Sequence, residues 1–156
     1  MQQEDILQKP LVAVVILSWN GKQYLEQFLP SVLALSYQPL DIYVADNAST
    51  DDSIAFLEQH YPSVKIIRIK KNEGFAKGYN VALKEVIADY YVLLNQDVEV
   101  TPGFIEPVIE VLESDVNIAA EAIGRKYVLA SKPNPASVAV SHLDRANLKK
   151  EITSIL

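Results

Sequence analysis

Leu11-Val-Ala-Val-Val-Ile-Leu17, followed directly by Ser18-Trp19-Asn20-Gly21, is the stretch on which the fold turns. Seven consecutive apolar residues rich in β-branched types are too few to span a bilayer, and their lack of alternation describes a strand covered on both faces. Strands of that kind belong to parallel sheets sandwiched between helices. The polar Ser18-Trp19-Asn20 then ends the strand and places hydrogen-bonding groups at its carboxyl end.

Working outward, Tyr24, Leu25, Phe28, Leu29, Val32 and Leu33 fall on one helical face after Lys22, with Pro30 expected to kink that helix. Leu40 to Ala45 reads as a second strand running into Asp46-Asn47-Ala48-Ser49, where Ser49 and Asp52 have the spacing of a capping box. Ile54, Leu57 and Tyr61 point inward from the next helix. Val64 to Ile69 is a third strand, and Tyr79, Ala82, Leu83, Val86 and Ile87 recur at helical spacing behind it. Tyr90 to Leu94 makes a fourth strand, and Thr101-Pro102 reads as a helix cap and first turn ahead of Ile105, Val108, Ile109 and Leu112. Beyond Asp115, Asn117 to Ala120 has the look of a strand start, Ser131 to Pro135 of a turn-rich break and His142 to Leu156 of a helix.

The alternation of strand and helix predicts an α/β, Rossmann-like fold, a mostly parallel sheet with helices on both faces. Ligands of such sheets sit beyond the carboxyl ends of the strands. At 156 residues, with 49% hydrophobic and 22% charged side chains, the chain suits one globular domain. Residues 1–120 read as its core and 121–156 as a divergent or truncated C-terminal segment of the same domain.

Composition removes several function classes. A net charge of −6 from 14 basic and 20 acidic residues argues against nucleic acid as a partner. Without cysteine, disulfides and thiolate metal sites are excluded, and a reducing cytoplasm suits the chain. The start Met1 to Pro10 has no signal-peptide core, and with no apolar run long enough to span a bilayer the chain reads as soluble, a cytoplasm suiting it as well as any compartment. The first strand leads into no GxGxxG loop, which disfavours a dinucleotide enzyme. A phosphoacceptor signalling domain of similar topology needs an acidic cluster and a lysine at set strand ends, and no convincing set is present.

Polar residues gather instead after three strands: Ser18, Trp19 and Asn20, then Asp46 and Asn47, then Asn95, Gln96 and Asp97. Trp19 offers a flat face to a base, or is a half-buried core indole. Asp46 can accept from a uracil or thymine imide or a ribose hydroxyl, or simply shape a turn. Asp97 emerges where a hard cation can bridge it to diphosphate oxygens, with the Asn95 amide oxygen as a weaker ligand, or simply shapes a turn. Asn72-Glu-Gly-Phe-Ala-Lys-Gly-Tyr-Asn80 starts a helix whose amides near Gly74, with Lys77, suit an anion, although such a loop alone more often marks a turn.

Four strings, Val12 to Asn20, Val44 to Asp51, Asn72 to Asn80 and Leu93 to Glu99, stand in the order found in family-2 glycosyltransferases, and over Leu11 to Ala120 the chain resembles that family. It most resembles the rhamnosyltransferase-like branch, where an asparagine often opens the Asp-x-Asp metal motif, as Asn95 does here. The resemblance implies a GT-A fold and inverting transfer of a sugar from a nucleotide-diphosphate donor (a UDP- or dTDP-sugar) to a hydroxyl of a saccharide or lipid-linked acceptor. It also implies a Mg2+ or Mn2+ requirement, with Asp46 on the base or ribose and Asp97 on the metal. A role in cell-surface polysaccharide synthesis follows, in the cytoplasm or at the inner face of the membrane, as a homodimer or a membrane-associated assembly. Glu121 to Leu156 does not match the family's usual continuation, where the catalytic base lies; Glu121 is not taken as that base, and the catalytic residue is unassigned. The alternative is a nonenzymatic nucleotide-sugar-binding module lacking the acceptor half.

Overall fold

The computed structural model describes residues 9–114 and, as backbone, the strands Ala120–Ile123 and Lys126–Ala130. In chain order the elements are β1 (Val12–Ser18), α1 (Lys22–Leu33), β2 (Leu40–Asp46), α2 (Ser53–His60), β3 (Lys65–Arg68), α3 (Phe75–Leu83), β4 (Tyr90–Asn95), α4 (Glu106–Ser114), β5 (Ala120–Ile123) and β6 (Lys126–Ala130). The sheet order is β3-β2-β1-β4-β6-β5. The first four strands pair in parallel, while β6 runs antiparallel to both β4 and β5.

β1 is central, and the reason is in its composition. Val12, Ala13, Val14 and Val15 are wholly buried, so both faces of the strand must be covered. Val12, Val14 and Ile16 pack with Leu25, Leu29 and Val32 of α1, Phe56 and Leu57 of α2, and Val108, Ile109 and Leu112 of α4. Ala13 and Val15, pointing the other way, meet Tyr79 and Ala82 of α3 together with Val86. Each such aliphatic side chain contributes about 1.5–3 kcal/mol on full burial, so the two layers hold the sheet from both sides. Because β2 and β3 lie on one side of β1 and β4 on the other, the chain switches direction at β1, and the crevice opens over the carboxyl ends of β1, β2 and β4.

Several local expectations are corrected. Ile87 is 86% exposed because α3 stops at Leu83 and the chain turns, with the Glu85 and Val86 N–H groups donating to Ala82 and Leu83, so helical spacing no longer sets its direction. Tyr24 lies at the exposed margin of α1, whose buried stripe is only Leu25, Leu29 and Val32. The α1 helix continues past Pro30 to Leu33. Ser49 does not cap α2: its hydroxyl accepts the Asn20 N–H at 2.9 Å, and the Asp51 carboxylate accepts the Ser53 N–H at 3.1 Å instead. Thr101 and Pro102 form a turn, closed by Phe104 N–H on the Thr101 carbonyl, and α4 begins only at Glu106. The strand expected from Asn117 is seen as Ala120–Ile123, and Lys126–Ala130 is a strand that periodicity did not reveal. The turn expected over 131–135 and the helix expected over 142–156 lie outside the described residues.

Candidate nucleotide site

Parallel register aligns the three polar strand ends. Ser18 faces Asp46 across β1 and β2, and Leu17 faces Asn95 across β1 and β4. The loops leaving these strands are then fastened to one another by side chains.

Asn20, at φ 46°, is the first fastener. Its N–H donates to the Ser49 hydroxyl, and its side-chain oxygen accepts the Thr50 N–H at 2.7 Å. Asparagine tolerates the left-handed backbone better than most residues. One turn further, the Lys22 N–H donates to Asp51 at 3.1 Å, so the start of α1 and the start of α2 share one carboxylate. Burial works to raise the Asp51 pKa, but hydrogen bonds from the Ser53 hydroxyl and from backbone N–H groups outweigh it and hold the carboxyl below its ordinary value.

Asn47 has a purely architectural position. It is 3% exposed, its amide nitrogen donates to Asn72 and to the Gly74 carbonyl, and its oxygen accepts the Glu73 N–H at 2.9 Å. The Gly74 N–H donates to Asn72 at 2.8 Å, so two of the amides expected to be open at this helix start are in use. Gly74 itself sits at φ 76°, which a residue with a Cβ rarely adopts. Lys77 is paired with Glu73 at 2.6 Å, and that bond, with Lys71 nearby, lowers the Glu73 pKa. Lys77 nonetheless remains on the surface, where its long side chain can exchange Glu73 for an anion.

Asp46 differs from its neighbours. It is 6% exposed, and while one carboxylate oxygen accepts the Ser49 N–H at 3.2 Å, Oδ1 is buried with no hydrogen-bond partner among the described residues. A buried carboxylate oxygen left unmatched costs about 1–3 kcal/mol, so a donor from a ligand would offset a penalty the folded chain already carries. Trp19 stands at the end of β1 with half its surface exposed, so part of the indole is open to solvent.

The β4 end is organised by two residues whose partners the sequence did not reveal. Tyr79, buried in α3, donates its hydroxyl to the Leu94 carbonyl at 2.7 Å and so holds the helix to the strand. Gln96 directs Oε1 at the Ser18 hydroxyl (2.9 Å) and the Trp19 N–H (3.1 Å). Ser18 is therefore a buried support for the turn, 1% exposed. The contact needs Gly21 to be small: a Cβ there would stand 2.1 Å from Gln96 Oε1.

Asp97 is exposed in the turn after β4, next to the partly buried Asn95. Among the described residues no three His, Cys, Asp or Glu side chains cluster as a closed metal cage. One carboxylate and one amide oxygen suit magnesium or manganese that takes its remaining ligands from phosphate and water, so the donor set fits such an ion. Also among the described residues, no helix is long and apolar enough to cross a membrane.

Comparison with known proteins identifies the family and the fold. The family model described as glycosyl transferase family 2 matches residues 13–150. A glycosyltransferase of Haemophilus influenzae without assigned specificity is 31% identical over 114 residues, 71% of this chain and 35% of that protein. An N-acetylglucosaminyl-diphospho-decaprenol L-rhamnosyltransferase of Mycobacterium tuberculosis is 25% identical over 111 residues, 64% of this chain and 36% of that protein. The chain thus spans about a third of the length of these relatives. In fold it is similar to the mannosyltransferase PcManGT of Pyrobaculum calidifontis, solved with GDP-Man and Mn2+, at a TM-score of 0.70 and 17% identity, covering 80% of this chain and 45% of that one.

Proposed function

The chain belongs to glycosyl transferase family 2, and on that premise we propose that its crevice binds a UDP- or dTDP-sugar with a divalent ion for inverting transfer to an acceptor hydroxyl. The observation that carries this reading is the unmatched, buried Oδ1 of Asp46, on the strand end paired with Ser18, together with the half-exposed Trp19 that follows Ser18. An imide N–H or ribose hydroxyl satisfies the former, and a base ring covers the latter.

Asp97 and Asn95 hold Mg2+ or Mn2+ in this reading, and the bound ion supplies charge neutralisation for the departing nucleotide diphosphate. In this reading Lys77, on the surface of α3, exchanges Glu73 for an oxygen of the diphosphate. Transfer breaks the bond between the anomeric carbon and the diphosphate oxygen, forms one to the acceptor oxygen, and requires a base to take the hydroxyl proton. A lipid-linked saccharide acceptor is supported by the name of the Mycobacterium tuberculosis relative, and a place in cell-surface polysaccharide synthesis by a Bacillus subtilis relative named for teichuronic acid biosynthesis.

Calorimetry of the chain with UDP and dTDP, each with and without Mn2+, tests the site. Micromolar binding that strengthens with the ion is expected. Equal affinity in both conditions, or tighter binding of NAD than of either diphosphate, defeats the reading.

A further inference from the structure

Gln96 is the middle residue of the turn that carries Asn95 and Asp97, and its side chain reaches the end of β1. Its single oxygen accepts two hydrogen bonds from the opposite wall of the crevice, one from the Ser18 hydroxyl and one from the Trp19 backbone N–H. Two donors converging on one atom fix the amide's orientation, because the Nε2 end has no lone pair to receive them. The space beneath is kept open by Gly21, where a Cβ would stand 2.1 Å from Oε1, 2.6 Å from Ser18 Oγ and 2.8 Å from Gln96 Cδ.

We propose that Gln96 is a positioning residue that couples metal binding to nucleotide binding, by clamping the Asn95-Gln96-Asp97 turn to the Ser18-Trp19 corner. The proposal rests on the nucleotide and metal reading given above. Trp19 meets the base end of the ligand and Asp97 the diphosphate end, and Gln96 joins the backbones that present them. With the clamp closed, the distance between the two ends is set before the ligand arrives, so each component finds the other's half already in place. With it open, the exposed turn must be ordered by the ligand, and a displacement of about 1 Å at the Asp97 carboxylate is enough to lose most of a geometry-dependent contact. The expected signature is a loss of cooperativity, since coupling between two ligands is a free energy of its own, separate from the affinity of either.

The experiment measures the manganese gain, the ratio of the UDP dissociation constant without the ion to that with it, by quenching of Trp19, the single tryptophan of the chain. Gln96→Met keeps the length and removes the acceptor. It should lower the gain by about fivefold or more while metal-free UDP affinity stays within about twofold. Gly21→Ala should do the same from the other side of the contact, and Gln96→Glu, which retains an oxygen for both donors, should keep most of the gain. Thermal melts of each variant verify the fold, and calorimetry replaces fluorescence if emission itself changes. Equal losses with and without manganese would mean that Gln96 is only a structural support, and an unchanged gain in both Gln96→Met and Gly21→Ala would overturn the clamp. A Gln96→Glu variant as impaired as Gln96→Met would overturn the account of the acceptor oxygen. If the unsubstituted chain shows no manganese gain at all, the site reading fails and this proposal fails with it; a gain that survives Gln96→Met sinks this proposal alone.

Discussion

At the scale of single residues, the crevice contains two carboxylates with different burdens. Asp46 is buried and half-satisfied, whereas Asp97 is exposed at a turn. Replacing each should therefore give opposite profiles. Asp97→Ala is expected to abolish the manganese-dependent part of UDP binding with a change in Tm of no more than about 1–2 °C, because exposed strand-end side chains contribute little to the core. Asp46→Asn should weaken UDP by about tenfold or more with and without the ion, since the amide replaces an anionic acceptor facing the ligand. Calorimetry and melting curves on both variants separate the cases. A large drop in Tm for metal-free Asp97→Ala would make that aspartate a structural turn residue instead.

Between elements, the notable contact is the one carboxylate shared by the starts of two helices. Asp51 accepts from Lys22 at the head of α1 and from Ser53 at the head of α2, and its pKa is depressed despite the opposing effect of burial. A carboxyl depressed in the folded state adds stability that is present above its unfolded pKa of about 3.9 and is lost as the pH falls through the lower folded value. Acidification below about pH 4 should thus loosen the α1–α2 junction, and Asp51→Asn should flatten that part of the Tm against pH curve while lowering Tm at neutral pH. Because Asp51 is exposed, the effect should be modest and should shrink in salt. A variant whose acid limb matches the parent's would show that the carboxylate does not link the helices energetically.

For the molecule as a whole, the described residues supply a donor side in the proposed reading, and the chain spans only about a third of the relatives it matches. We expect the 156-residue chain alone to bind nucleotide diphosphate yet show transfer close to hydrolytic background. Acceptor positioning and base catalysis each account for several kcal/mol of a typical barrier reduction, so a donor site by itself retains little of the rate. Incubation with UDP- and dTDP-sugars, Mn2+ and a panel of saccharide and lipid-linked acceptors, followed by nucleotide diphosphate release against Asp97→Ala, checks this. Robust acceptor-dependent release that the substitution removes would mean that residues after Asp97 complete an active site.

The apolar run Leu11 to Leu17 and the alternation of strand and helix periods were enough to determine the parallel sheet, because burial on both faces leaves a compositional mark that needs no knowledge of neighbours. The clustering of polar residues after β1, β2 and β4 was legible for the same reason, since a parallel sheet brings those ends to one edge. Pairings between loops were not legible. Ser49 has the spacing of a helix cap but is drawn off by Asn20, Asn47 looks like a ligand group but is consumed by Asn72, Glu73 and Gly74, and Gln96 gains its role only from Ser18 and Trp19 some 77 or 78 positions earlier. The strand Lys126–Ala130 was likewise hidden, since its antiparallel place beside β4 depends on a partner far away in the chain. Local periodicity records how much of a residue is covered, whereas a hydrogen bond between loops depends on where two distant backbones come to rest, and that only the tertiary structure decides.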